Sequence, residues 1–369
     1  MGARELLSRG AGAALDSFRD DPLTIPGDLC IRQKDCIIFD FELVTSSVVS
    51  ELLRDNLGTV LEIVRKTYVQ HRDGLTVNPD SLFLKFPEKK SARIIALPAF
   101  IGGDIRAAGI KWISSFPENI DNDVPRASAV LVLNDYETGY PAACLEAAGI
   151  SAARTAASAA LAAKTLRPEG YRDSTIAVIG AGVIARTICD HLVAAGCRPQ
   201  KFLVHDLNPQ SGQALVQHLT ERLSERAATT DLDSALAADT VVFATTAATP
   251  YVSTPFRPGQ LVLNISLRDI APEVVLASAN ILDDIDHCLK ANTSPHLAEQ
   301  LCGSRDFVTG TLADVLVGAI AVPAGKPLIF SPFGMGVLDI AVGSFVYERA
   351  RSAGRSIRVP EFFAAAGRW

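Results

Sequence analysis

The chain is predicted to be an α/β protein in which a doubly wound parallel sheet is inserted in a discontinuous α+β domain. Three observations predict this. Residues 174–330 alternate strand and helix patterns, "TIAVIG", "VIARTICDHLVAAG", "KFLVHD", "NPQSGQALVQHLTERL", "TVVFATT", "QLVLNIS" and "NILDD", as helices packed on both faces of a parallel sheet require. The residues in front of them hold short β-rich pieces broken by proline, glycine and asparagine, the pattern of a mostly antiparallel sheet. After "PLIFSPFGMG" a helical stretch follows, "VLDIAVGSFVYERARSAG", with no further strand to serve. A leftover helix of this kind packs back on the other domain. The expected division is residues 1–155 plus 331–369 as one domain, for substrate binding and dimerisation, with 156–330 as the inserted nucleotide-binding domain.

Taken in order, residues 39–70 carry apolar side chains at helical spacing, and "TSSVVSELL" offers Thr45 or Ser46 as N-cap. The pieces "SLFLKFP", "ARIIALPAF", "AAGIKWISSFP" and "ASAVLVLND" read as strands, and "DYETGYPAA" as turn material. Residues 144–166, "CLEAAGISAARTAASAALAAKTL", are dominated by alanine, the strongest helix former. Such small side chains allow close approach to another backbone or to a cofactor. Pro168 and Gly170 end this helix.

At 369 residues the chain is long enough for two cores. A net charge of −6 argues against a nucleic-acid partner, which calls for a basic face. Seven scattered cysteines without a CxxC pair read as reduced thiols rather than disulfides or zinc ligands, and the six histidines lack ligand spacing, so no metal is expected. The opening "MGARELLSRG" has no apolar core of a signal peptide, and no apolar run reaches membrane-spanning length. A cytoplasmic protein is expected, with no membrane partner.

"VIGAGVIA" places Gly180-x-Gly182-x-x-Ala185 between a strand pattern and a helix pattern. The first glycine permits a tight turn, the second lets backbone approach a pyrophosphate, and the third small residue lets the helix press on the strand. The turn, Gly180, Ala181, Gly182, Val183 and Ile184, together with the free N–H groups of the helix start, suits a phosphate. This is a Rossmann-like signature. Asp206, at the end of the next strand and followed by Leu207 and Asn208 rather than arginine, suits ribose hydroxyls and favours NAD over NADP; otherwise it is a surface loop acid. Thr245 and Thr246 end "VVFATT", where they either line the nicotinamide side of the crevice or cap the next helix.

Cations also stand in apolar surroundings. Lys111 lies between Ile110 and Trp112, Lys85 between Leu84 and Phe86, and Arg154 on a face of Ala, Ile and Ser. Buried lysines are rare unless paired. The three read as a pocket for carboxylates, each pairing worth roughly 1.5–3 kcal/mol, or as edge residues that snorkel to water. "LVLNISLRDIAPEV" ends a strand in Arg268 and Asp269, where ligands of open α/β sheets lie. Asp269 is either an acid able to move a proton or a cap for the helix starting near Pro272.

"GIKWISSFPEN", "ISAARTAASAALAA", "IGAGVIA", the strand ending in Asp269 and "SPFGMGVLDIAVG" together resemble the ornithine cyclodeaminase/mu-crystallin family, in the same order from about Leu82 to Val346. Within it, "RIIALPAFIGGD", "RASAVLVLND" and "NISLRD" look most like the dehydrogenases of L-2,3-diaminopropionate biosynthesis, which serve siderophore and peptide antibiotic pathways by oxidising N-(2-amino-2-carboxyethyl)-L-glutamate. The resemblance implies that Lys111 binds the substrate carboxylate and that Arg154 lies between that carboxylate and the cofactor. It makes Asp269 the catalytic acid, and puts Ser128 and Ser331 against the cofactor. Lys85 aligns with an arginine that grips substrate, a departure because lysine offers a point charge instead of a fork; Arg93 or Arg126 are the alternatives. The resemblance further implies a homodimer closed through the first-domain sheets, acting on a small amino-acid substrate.

Overall fold

The computed structural model describes residues 30–33 and 36–363; the N-terminal decapeptide lies outside the described residues. A hairpin of β1 (Cys30–Gln33) and β2 (Cys36–Phe39) precedes β3 (Phe41–Val44). The helical spacing of 39–70 resolves into this strand and two helices, α1 (Ser46–Asp55) and α2 (Leu57–Arg72). They part at Asn56, whose backbone leaves the helical region (φ −130°, ψ 34°) while its side-chain amide donates to the Leu52 carbonyl at 2.8 Å. Thr45 takes the N-cap position of α1, but no side-chain bond caps the helix there.

Next come β4 (Thr76–Val77), β5 (Leu82–Lys85), β6 (Arg93–Ile101), β7 (Ala107–Ser115), β8 (Ala127–Asn134) and β9 (Pro141–Glu146). "DYETGYPAA" is thus turn only through Tyr140. The alanine-rich helix, α3 (Ala148–Leu166), starts four residues later than its composition implies, because Cys144–Glu146 belong to β9. Glu146 sets that start: its carboxylate accepts the Ala148 amide at 2.7 Å and the Gly149 amide at 3.4 Å, two of the donors a helix start leaves free.

The inserted part holds β10 (Thr175–Ile179), α4 (Val183–Ala194), β11 (Lys201–His205), α5 (Pro209–Gln217), β12 (Ala227–Thr229), α6 (Leu232–Leu236), β13 (Thr240–Phe243) and β14 (Leu261–Asn264). It continues through α7 (Pro272–Leu276), β15 (Ala279–Leu282), α8 (Ile285–Cys288), α9 (Ser294–Cys302), β16 (Val308–Thr311), α10 (Leu312–Leu316) and β17 (Leu328–Ser331). Its eight strands are all parallel, in the order β12-β11-β10-β13-β14-β17-β15-β16. The chain runs outward from β10 to β12 and then returns to β13 on the other side of β10. That reversal opens a crevice above the carboxyl ends of the strands, the ligand position in such sheets. The fold is a Rossmann-like doubly wound sheet beside a second, mixed one.

The closing helix, α11 (Gly336–Ser352), packs on β6, β7 and β8. It is not the last element: β18 (Ile357–Val359) follows and pairs with β3, giving the mixed sheet the order β18-β3-β9-β8-β7-β6-β4, with β5 also on β6. Only β3–β9 is parallel in this sheet. One apolar core runs through both sheets by way of α3, whose alanines let α2, α4 and α11 approach it closely. Polar contacts pin the same junction. His71 at the end of α2 bonds Asp284 at 2.9 Å, Arg72 pairs with Asp314 at 2.8 Å, and the Asn78 side chain accepts the Val337 amide at 3.0 Å.

Candidate active site

Alternation along β7 sends Lys111 to the face covered by α3 and α11, and Trp112 to the opposite, open face. Lys111 is 1% exposed. Its Nζ donates to Oδ2 of Asp339 at 2.6 Å and to Oγ of Ser151 at 3.1 Å. Asp339, on α11, is wholly buried, and its Oδ1 accepts from Nε of Arg154 at 3.1 Å. Ser151 and Arg154 sit three residues apart on α3 and therefore share a face.

One acid thus orients two cations and leaves the cluster with a net positive charge in a place shut from water. An ammonium has three donors, and two of Lys111's are taken. The guanidinium keeps its two terminal nitrogens. An anionic ligand would both neutralise the cluster and accept from these remaining donors. Burial pushes the Lys111 ammonium down to about 8, against the pull of Asp339 and with the repulsion of Arg154.

The turn after β17 fits around Arg154. Gly334 has φ +92°, and a Cβ there would stand 2.4 Å from Nη1 of Arg154; only glycine gives the guanidinium this room. The turn is held by Asp283, at the end of β15, whose carboxylate accepts the Phe333 amide at 2.9 Å and the Gly334 amide at 2.7 Å. Burial pushes the Asp283 carboxyl up, against those hydrogen bonds.

Asp269 anchors a second cluster. The loop after β14 passes through left-handed Leu267 (φ 71°) and presents a fully buried Asp269. Its carboxylate accepts from Oγ1 of Thr245, at the end of β13, and from Oγ of Ser266, both at 2.5 Å. Tyr251 lies close by, and burial followed by the charge of Asp269 raises its phenol. A left-handed leucine costs on the order of 1–3 kcal/mol, so the surroundings must over-determine this turn. The mixed sheet reaches the same loop at Arg93, close enough for its charge to act on Arg268.

The glycine turn fits a dinucleotide. Gly180 is left-handed (φ +91°), with space for a Cβ closed by the Ala244 carbonyl at 2.5 Å, whereas open space surrounds Gly182. No side chain caps α4, so its first amides are free for a phosphate. Val183 is exposed, while Ile184 leans on the core. Asp206 accepts the Ala181 and Asn208 amides, each at 2.7 Å, which fixes its carboxylate beside the turn. A cavity of about 510 Å³ adjoins, lined by Ala181, Gly182, Val183, Arg186, His218 and Arg222 among others.

The structure therefore brings Lys111 to Arg154, and Gly180–Ile184 to Asp206. It does not bring every expected residue to these places. Ser128 lies on the open face of the mixed sheet, bonded to Ser114 at 2.8 Å, because the register pairs these two on the side opposite Lys111. Thr245 is engaged with Asp269, and Thr246 is exposed. Ser331 is buried and accepts from the Asn264 amide at 3.0 Å. Lys85 is exposed on β5, across from Arg93. Sequence reasoning missed Asp339, Ser151, Asp283, Ser266 and Tyr251. Of these, Asp339 carried a readable signal, an acid between Leu338 and Ile340 in an apolar helix.

Fold and site define a nucleotide-binding α/β protein with a buried, anion-seeking cation pair beside its Rossmann-like sheet. The chain belongs to the ornithine cyclodeaminase/mu-crystallin family, which it matches over residues 42–354. It is 31% identical over 268 residues, 70% of this chain and 79% of the other, to N-((2S)-2-amino-2-carboxyethyl)-L-glutamate dehydrogenase of Staphylococcus aureus. Among solved structures it resembles the Δ1-pyrroline-2-carboxylate reductase of Thermococcus litoralis in complex with NADH and L-proline (TM-score 0.79, 24% identity, 86% of this chain and 100% of that one). It also resembles an archaeal alanine dehydrogenase dimer with bound NAD (TM-score 0.78, 23% identity, 88% and 100%). Among the described residues no helix is long and apolar enough to cross a membrane.

Proposed function

We propose that the protein is an NAD-dependent oxidoreductase acting on the CH–NH bond of an amino acid, and that its substrate is N-(2-amino-2-carboxyethyl)-L-glutamate. The observation that carries the class of reaction is the buried Lys111–Asp339–Arg154 cluster, one positive charge in excess and built to receive a carboxylate. The substrate follows from the 31% identical relative. Gly180–Ile184 and Asp206 hold the cofactor, which when bound supplies the two-electron acceptor.

The protein's own residues do the rest. Lys111 and Arg154 fix the carboxylate, so that the glutamate Cα and its secondary amine are presented in one orientation. Positioning of this kind contributes about 7–11 kcal/mol in well-oriented model reactions. Loss of two electrons and a proton, a hydride equivalent, converts the neutral amine to an iminium. Asp269, its carboxylate steadied by Thr245 and Ser266, takes a proton from water as the oxygen attacks the iminium carbon. The C–N bond then breaks to release 2-oxoglutarate and L-2,3-diaminopropionate, with NADH formed, for siderophore or peptide antibiotic assembly. The active unit is a homodimer closed through the open sheet face, where Leu82, Leu84, Trp112 and Val130 are exposed; a monomeric mass in sedimentation would exclude it.

The test is to incubate the protein with NAD and this substrate, following NADH and both products, alongside ornithine and alanine with NAD and Δ1-pyrroline-2-carboxylate with NADH. Expected is turnover of the glutamate adduct, with Asp269→Asn binding NADH normally but losing about 10²–10⁴-fold in rate. Proline and ammonia from ornithine, or turnover of the other two alone, would overturn the substrate. A near-normal Asp269→Asn enzyme would remove that residue from the chemistry.

A further inference from the structure

Three arginines gather where the mixed sheet meets the Asp269 loop. The register pairs Leu97 with Lys111 and Leu131, and Lys85 with Arg93, Ser115 and Ala127. Residues directly across share a face, so Arg93 lies on the same face as Lys111, four residues further along. That is about 13 Å at about 3.3 Å per residue. Arg126 stands at the same end of the sheet, immediately before Ala127, where its carbonyl accepts the Phe116 amide at 2.8 Å. Arg268 comes from the parallel sheet, next to Asp269, with Nη2 donating to the Ala291 carbonyl at 2.8 Å.

All three are half-buried, and Arg93 acts electrostatically on both others. Burial lowers the pKa of Arg126 and Arg268, and repulsion from Arg93 lowers each further. Among the described residues no carboxylate lies within ion-pair distance of Arg93, Arg126 or Arg268. The surface pairs Arg72–Asp314 and Arg305–Glu299 show that arginines of this chain take acid partners where a fold needs only stability. Asp269 offsets part of the charge of Arg268, but three like charges drawn together from two sheets outnumber it, and the excess marks a place that an anion completes.

We infer that Arg93, Arg126 and Arg268 form a second anion subsite, which receives the far carboxylate of a dicarboxylic substrate whose first carboxylate sits at Lys111 and Arg154. The inference rests on the proposed role of that pair. It makes the protein selective for dicarboxylic over monocarboxylic amino acids. Guanidinium forks suit this task because they grip a carboxylate with two parallel bonds. Lys85, at the exposed rim across from Arg93, adds charge to the entrance. The same anion chemistry would suit a cofactor phosphate, and the test separates the two.

The experiment is calorimetric binding of 2-oxoglutarate, 2-oxobutyrate and NADH to the full-length protein, and to Arg93→Gln and Arg126→Gln. The keto acids are titrated into the NADH complex. Expected is that wild type prefers 2-oxoglutarate over 2-oxobutyrate by on the order of tenfold or more, the worth of one charge-assisted pairing. Each variant should lose that preference while keeping its affinity for 2-oxobutyrate and NADH. Thermal melting should show the variants no less stable than wild type, since each relieves like-charge repulsion; a purely structural role predicts the reverse. Weakened NADH binding alone would assign the arginines to a cofactor phosphate. Equal loss for both keto acids, or no change, would also overturn the subsite. Because binding is read without turnover, a wrong substrate in the preceding proposal leaves this result interpretable. Failure of both keto acids to bind the wild-type complex would instead strike at the Lys111–Arg154 role.

Discussion

Replacing Asp339 with asparagine tests the charge logic of the site most directly. The change keeps the shape but leaves Lys111 and Arg154 facing each other, nearly dry, with no acid between them. Breaking a buried pair in this way costs about 3–5 kcal/mol when the remaining charge stays. The lysine has an escape that the arginine lacks. Already near 8 with Asp339 in place, it loses its proton at neutral pH once that attraction is gone, whereas a guanidinium stays charged. The variant should therefore fold with reduced stability and enter neutral solution with a neutral Lys111. One charge-assisted hydrogen bond to the substrate disappears, about 1.5–3 kcal/mol, so KM should rise roughly 10- to 150-fold at 1.4 kcal/mol per decade. NADH affinity, set at the glycine turn, should not move. Lowering the pH re-protonates the lysine and should recover part of the substrate affinity. Stopped-flow NADH binding, steady-state kinetics across pH and thermal melting read all three quantities. A KM that holds at the wild-type value, or an effect confined to NADH, would refute the view that Asp339 sets the charge state of this pair. Exchanging the whole triad, as Lys111→Met, Asp339→Leu and Arg154→Met, should regain stability without regaining activity.

The depressed Lys111 also gives wild type a pH signature. Below about 8 the folded protein carries the ammonium that the carboxylate needs, so kcat/KM should fall as pH rises through about 8, and Lys111→Arg should move that limb upward. Stability should run the other way: between about 8 and the ordinary lysine range the unfolded chain binds more protons than the folded one, so unfolding free energy rises with pH. Denaturant titrations that show it falling across that interval would contradict the direction of the shift. Gly334→Ala places a methyl 2.4 Å from Nη1 of Arg154 on a left-handed backbone. It should raise KM while sparing NADH affinity, and unchanged kinetics would mean that the turn does not seat the guanidinium.

Much of the fold was legible because its elements are local patterns. The strand, glycine turn and helix at Thr175–Ala194 need only neighbouring residues to be recognised, and Gly180 is required by a backbone angle that no distant contact supplies. The errors fall where a distant partner decided. Cys144–Glu146 are composed like the helix that follows, yet they pair with β8 and β3, and the edges of two strands outweigh alanine's preference. No strand is expected after the closing helix, but β3 offers residues 357–359 an unpaired edge. The helix expected across 39–70 breaks at Asn56, where a side-chain amide competes with the backbone.

The site divides along the same line. Lys111 and Arg154 stand out because a cation in apolar surroundings is costly by itself, whatever its neighbours. What the sequence does not reveal is how that cost is met, since the answering acid lies 228 residues from the lysine in sequence. The rule that singled out Lys111 applies with equal force to Asp339, flanked by Leu338 and Ile340 in a helix that is buried nearly all round. Two opposite charges, each improbable alone, become probable together. Searching a sequence for such pairs of misplaced charges, rather than for single ones, would have joined β7, α3 and α11 before any coordinates. Arg93 and Arg126 have no acid within ion-pair distance among the described residues, and half-buried charges left in that state point to a ligand that answers them.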